Sequence, residues 1–136
     1  MSKFMLEIVT PVRQFFHGEV EMVIARGSEG DIGILKGHEP FVTPLQIGKI
    51  RIKIDGQFKI AAISQGYIKV SKERVVILTD SAEWPEEIDI ERAKRAKERA
   101  EQRLQQKTGD MDVLRAELAI KRASNRIGVA DLRSKK

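Results

Sequence analysis

The spacing of apolar residues along this chain changes once. Up to about Thr79 they tend to recur at every second position, and beyond Ile88 at every third or fourth. The first period belongs to strands, whose side chains alternate between two faces, and the second to amphipathic helices. Phe4 to Val9 is apolar and closed by Thr10-Pro11, which predicts a short strand. Val20 to Ala25 predicts a second strand, ending at Gly27, with Val20, Met22 and Ile24 on one face. From Ile47 to Ile54 the alternation is clean: Ile50, Ile52 and Ile54 point inward, and Lys49, Arg51 and Lys53 point outward. Asp55-Gly56 is a hairpin turn signal, and Phe58 to Ile63 returns from it. Gly66 to Val70 and Arg74 to Thr79 complete the set, separated by a turn at Ser71-Lys72-Glu73. Short strands at turn-punctuated intervals predict an N-terminal antiparallel β-sandwich or flattened barrel. A doubly wound parallel sheet is excluded, because its strands would be apolar on both faces.

Between the second strand and Pro40 lies a stretch holding Gly27, Gly30, Gly33 and Gly37. These glycines predict tight turns. The stretch lacks the Gly-Lys-Ser/Thr ending of a phosphate-binding P-loop, and no helical pattern follows it, so a structural or protein-contact loop is expected. His38 lies in this loop, and His17 beside Phe16 is expected at a turn.

At Ala82 to Glu87 the composition shifts, which divides the chain into residues 1–84 and 85–136. Ile88 to Gln106 then reads as a helix with Asp89 as its N-cap. Ala93, Ala96, Ala100 and Leu104 share one face of it. Thr108-Gly109-Asp110 breaks the helix, and a second follows from about Asp112 to Gly128, with Ala116, Ala119 or Ile120, Ala123 and Ile127 as its stripe. Two short helices joined by a tight turn predict a C-terminal helical hairpin. Stripes made mostly of alanine bury little area, so this hairpin is expected to open, straighten or repack at modest cost.

Charge sharpens the division. Residues 1–84 carry 11 Lys/Arg against 10 Asp/Glu, while residues 85–136 carry 14 against 10, so most of the net +5 sits on the helices. That bias favours anionic partners. There is no cysteine, which excludes disulfides and thiolate metal sites. No run approaches the roughly 18 apolar residues that span a bilayer, and the first residues do not read as a signal peptide.

No catalytic constellation is present, and two separate loop histidines do not make a metal site. The arginines carry more chemistry. Arg92, Arg95, Arg99 and Arg103 line one side of the first helix, and Arg115, Arg122 and Arg126 line one side of the second. Guanidinium groups grip phosphates bidentately, so a closed hairpin brings two arginine rows toward one small anion. Glu83 and Asp89, at the start of the helix, are placed to accept hydrogen bonds from a base or ribose. The competing expectation is that these arginines pair with Glu91, Glu98, Glu101 and Glu117 along the helix faces.

Taken together, Leu6-Glu7-Ile8-Val9-Thr10-Pro11, Gly30-Asp31-Ile32-Gly33-Ile34-Leu35, Gly37-His38-Glu39-Pro40, Gly66-Tyr67 and Ile88-Asp89-x-x-Arg92-Ala93 resemble the epsilon subunit of bacterial F-type ATP synthase, over essentially the full chain. The resemblance implies a non-catalytic rotor subunit on the cytoplasmic face of the bacterial cell membrane. Its β-domain would bind the gamma subunit and the ring of c subunits and couple proton transport to ATP synthesis. Its C-terminal helices would pass between a compact hairpin and an extended arm that reaches the alpha and beta subunits and inhibits ATP hydrolysis. In Bacillus-like members the compact hairpin binds ATP as a regulatory ligand, with or without Mg²⁺. That likeness carries over to Glu83, Ile88, Asp89, Arg92, Ala93, Arg99, Arg122 and Arg126, and it implies partner contacts near Asp31 and His38. The alternative is a basic helical module that binds nucleic acid, against which stand the sparse aromatics and interspersed carboxylates.

Overall fold

The computed structural model describes residues 2–106 and 109–134. The chain forms two compact units that divide after Glu83.

The first unit is built from ten strands: β1 (Phe4–Val9), β2 (Gln14–Val20), β3 (Met22–Gly27), β4 (Gly30–Ile34), β5 (Phe41–Leu45), β6 (Gly48–Ile54), β7 (Gln57–Ile63), β8 (Gly66–Val70), β9 (Arg74–Thr79) and β10 (Ala82–Glu83). They pair in the order β10-β7-β6-β3-β5-β8-β9-β1-β2, with β4 hydrogen-bonded to β3. The result is the predicted β-sandwich, curled into a nearly closed barrel. Its pairings are antiparallel with one exception: β1 runs parallel to β9, with Met5 opposite Arg74 and Val9 opposite Leu78.

Alternation fills the interior. Leu6 and Ile8 of β1, Ile50 and Ile52 of β6, Ile68 of β8 and Ile77 of β9 are fully buried. Each such side chain stabilises the fold by about 1.5–3 kcal/mol relative to exposure. Asp55 and Gly56 both have positive φ (49° and 79°), the two-residue turn that matches the twist of the β6–β7 hairpin.

Three expectations are corrected here, and one strand that the pattern did not predict is added. His17 lies inside β2, opposite Glu7, and not at a turn. Half of the glycine-rich stretch is strand, because β4 folds back on β3 as a hairpin. Phe41–Leu45 forms a strand despite Pro44. The run from Val20 to Ala25 is not one strand, since the chain bends at Glu21 between β2 and β3. The bend reverses the alternation: Val20 is buried before it, and Val23 and Ala25 are buried after it, while Met22 and Ile24 are only half-buried. Glu21 is itself only 7% exposed. Its carboxylate Oε1 accepts the Gly56 N–H at 2.7 Å, and its own N–H donates to Lys53 O at 2.8 Å. The corner is thereby tied to the β6–β7 turn.

The second unit starts with a 3₁₀ turn at Pro85–Glu87 and continues with α1 (Ile90–Gln106), α2 (Asp110–Ala130) and a 3₁₀ turn at Asp131–Ser134. Glu87 closes the first turn on itself: its Oε1 accepts the Trp84 N–H at 2.9 Å, and its own N–H donates to Trp84 O at 3.0 Å. The second helix exceeds its expected span by two residues on each side, whereas α1 ends at Gln106 as expected and begins two residues later, at Ile90, after its cap. Of the residues expected to break the helix, Thr108 lies outside the described set, and Gly109 is the N-cap of α2.

Candidate functional site

Asp89 is the N-cap of α1. Its Oδ1 accepts the Arg92 N–H at 3.0 Å, and its carbonyl accepts the Ala93 N–H at 3.0 Å, which satisfies donors that a helix start leaves open. From this fixed start α1 presents Ala93 and Ala100 as buried positions, and α2 answers with Ala116 and Ala123. The two helices pack on each other, and the short connection across residues 107–109 makes them antiparallel. Ala93 and Ala123 lie equally far from that connection, as do Ala100 and Ala116, so each buried alanine has its counterpart at the same level.

The arginines follow from this geometry. An α-helix turns by about 100° per residue. On α1 the row Arg92, Arg95, Arg99, Arg103 therefore sits roughly a quarter-turn to one side of the alanine stripe. On α2 the row Arg115, Arg122, Arg126 is offset from its stripe in the same rotational sense. In an antiparallel pair whose stripes face each other, equal offsets place both rows on one flank. That flank is strongly cationic. Arg92, Arg95, Arg99, Arg103 and Arg115 are exposed along it, and Arg122 and Arg126 are half-buried.

Within the flank, Arg92, Arg122 and Arg126 share the level nearest Asp89. Arg99 lies about 10 Å closer to the connection, at 1.5 Å rise per residue, near the level of Arg115. The geometry thus gathers three of the arginines inferred for the nucleotide around the capped end of α1. Ile88 and Ala93 belong to the packing: they are 2% and 5% exposed. Glu83 lies in β10, paired with Ala62, within the β unit. On the outer side of α1, Glu91 faces Lys94 at 3.9 Å.

The other two inferred contact residues are in the β unit. Asp31, in β4, lies 3.5 Å from both Arg26 and Arg51. His38, in the β4–β5 loop, has Nδ1 3.2 Å from Glu39 O and its ring 5.2 Å from that of Phe41.

A further surface was not anticipated from the sequence. Strand register sets Pro44, Tyr67, Leu78 and Val9 in one row across β5, β8, β9 and β1. Tyr67 is 57% exposed and Leu78 54%. The same four residues line an open groove of about 690 Å³, with Gln46, Gln65 and Asp80 among its polar lining. The signal was present in Val75-Val76-Ile77-Leu78, a strand apolar on both faces: Val75 and Ile77 go inside, which leaves Val76 and Leu78 for the outer face.

Two family models together match residues 3–131. The β-sandwich domain of the ATP synthase delta/epsilon chain matches residues 3–85, and its long α-helix domain matches residues 86–131. The chain belongs to the epsilon subunit family of bacterial F-type ATP synthases. It is 50% identical to the ATP synthase epsilon chain of Caldicellulosiruptor saccharolyticus over 133 residues, covering 98% of this chain and 97% of that one. The Bacillus licheniformis epsilon chain is 48% identical over 130 residues, covering 96% and 99%. The Alkaliphilus oremlandii epsilon chain is 58% identical over 109 residues, covering 80% and 81%. Among solved structures, a chain of the Euglena gracilis mitochondrial ATP synthase, in an assembly of OSCP, F1 and c-ring, superposes with a TM-score of 0.79 at 26% identity, over 92% of this chain and 79% of that one. A chain from the central stalk and c-ring of the Tetrahymena thermophila mitochondrial enzyme shares the fold, with a TM-score of 0.57 at 15% identity.

Proposed function

We propose that this chain works as a non-catalytic rotor subunit in the central stalk of the ATP synthase, coupling proton transport to ATP synthesis, with a hairpin that responds to ATP. Its β unit docks on the gamma subunit through the row Pro44, Tyr67, Leu78 and Val9, and reaches the c ring through the Asp31 and His38 region. An exposed apolar row of this kind suits a protein partner, since charged residues are depleted from interface centres. No described helix is long and apolar enough to cross a membrane. Attachment to the cytoplasmic face of the cell membrane therefore runs through these partners.

The observation that carries the nucleotide reading is the cationic flank of the closed hairpin. Arg92, Arg122 and Arg126 present guanidinium groups at one level, beside the carboxylate of Asp89. The arginines grip the phosphates bidentately, and Asp89, whose Oδ1 caps α1, turns its second oxygen toward the ribose or base. ATP then favours the closed hairpin in proportion to its preference for that state. Opened, the same helices reach the alpha and beta subunits and restrain ATP hydrolysis.

Calorimetric titration of the full chain with ATP tests this. Binding that Arg122→Ala or Arg126→Ala weakens by about tenfold or more is expected, one lost charge-assisted bidentate pair being worth that much. Absence of ATP binding, or preferential binding of RNA or DNA, overturns the nucleotide reading.

A further inference from the structure

The apolar closure of the hairpin is uneven along its length. In the helical unit the buried apolar side chains among the described residues are Ala93, Ala100, Ala116, Ala123 and Ala130, with two larger ones, Ile88 at 2% exposure and Val129 at 0%. Both larger side chains lie at the base. There the Pro85–Glu87 turn packs against α2 and against the Asp131–Ser134 turn. At the opposite end Met111 is 65% exposed and Leu114 53%, and Leu104 is only half-buried. Alanine contributes little to burial, and Leu118 and Ile120, midway along α2, are only half-buried, so the large side chains that are fully buried are concentrated where the hairpin begins and ends.

Beside Val129 stands Gly128, inside α2. A Cβ built there meets no atom within 4 Å outside the helix's own backbone, so packing does not demand glycine at this position. Glycine in a helix interior is destabilising relative to alanine, because it loses more backbone freedom on ordering. The last turn of α2 therefore combines the largest buried apolar contact of the helix with its weakest backbone position.

We propose that Ile88 and Val129 form a latch at the base of the hairpin, and that Gly128 sets it to release easily. Arg122 and Arg126 lie on the two turns of α2 that precede the latch, so its closure positions them at the level of Arg92. Ile88 and Val129 are positioning residues: they touch no phosphate and act by fixing the helices that carry the guanidinium groups. The ligand part of this proposal rests on the nucleotide reading above, and the conformational part does not.

Hydrogen exchange on the full chain without nucleotide tests the latch. Val129→Ala is expected to lower amide protection across α2 by about tenfold, through loss of buried methyls. Gly128→Ala is expected to raise it about two- to fivefold, as helix propensity gains. Leu104→Ala, near the tip, is expected to change it less than about threefold, the side chain being half-buried to begin with. ATP affinity should follow the same order. The two substitutions at neighbouring positions act in opposite directions, so a general loss of folding cannot mimic the pattern. If protection responds as stated but neither the parent chain nor any variant binds ATP, the latch stands and the nucleotide reading falls. If protection ignores both Val129→Ala and Gly128→Ala, or responds to Leu104→Ala alone, the latch is overturned.

Discussion

Asp89 Oδ1 accepts the backbone N–H of Arg92 at 3.0 Å, so the carboxylate that starts α1 also holds the first arginine of the cationic row. The two tasks are separable by substitution. Asparagine caps a helix about as well as aspartate, whereas alanine removes the cap and costs about 1 kcal/mol. Asp89→Ala should therefore lower the helical content of the isolated chain, measured by circular dichroism, and weaken ATP binding. Asp89→Asn should keep the helix and still weaken ATP binding, because only the charge is lost. Full ATP affinity in Asp89→Asn confines this residue to capping.

Glu21 gives a prediction for the β unit. Its buried carboxylate accepts the Gly56 N–H at 2.7 Å. Glu21→Ala leaves that donor without its partner, at a cost of about 1–3 kcal/mol. Glu21→Gln keeps an acceptor oxygen in the same place and should cost less. Thermal unfolding of the two variants should rank them in that order, and equal melting temperatures would show that the corner bond contributes nothing.

Gly66 is constrained by the close approach of a neighbouring strand. A Cβ on it falls 1.9 Å from Leu78 O and 2.8 Å from Thr79 Cα, both backbone atoms that cannot swing aside. Gly66→Ala must push β8 away from β9 and should cost about 3 kcal/mol, at the upper end of what overpacking does. A shift of several degrees in the unfolding midpoint is the expected result, and an unchanged midpoint contradicts the close approach.

The apolar row makes a prediction about partners. Tyr67→Asp and Leu78→Asp change side chains that are more than half exposed, so the isolated chain should unfold at nearly the parent temperature. Binding to purified gamma subunit should weaken by about 30-fold or more, as when an interface anchor worth about 2 kcal/mol is lost. Unaltered binding moves the interface elsewhere.

The parts of this molecule that were legible in the sequence are those where one local rule decides. Ile50 and Ile52 alternate with charged neighbours, Asp55-Gly56 permits only a narrow class of turns, and Asp89 precedes a run of helix formers. In each case the nearest few residues contain the answer. The parts that were not legible depend on where a second segment arrives. Nothing near Glu21 announces that its carboxylate will meet Gly56, so the bend and the reversed alternation of Val23 and Ala25 stayed hidden. The row of Pro44, Tyr67, Leu78 and Val9 exists only once four strands are in register. Ile88 belongs to a ligand motif by resemblance and is 2% exposed in the fold, a burial that its neighbours in sequence do not announce. The arginine rows lay between these cases: each row follows from helical spacing alone, but their placement on one flank requires the antiparallel pairing.

The parallel pairing of β1 with β9 also orders events during synthesis. Residue 5 must find residue 74, so β1 leaves the ribosome well before β9 and has one edge waiting while most of the β unit is still being made. Local hairpins such as β6–β7 have no such delay. Long-range pairings of this kind slow folding, because the intervening chain must be restrained before any contact rewards it. Until β9 arrives, the β1–β2 hairpin carries an open edge and an apolar face that other nascent chains can capture. The strand β1 is thus made early and secured late, because its second edge is paired only when β9 has been made and the β1–β2 hairpin joins the rest of the sheet.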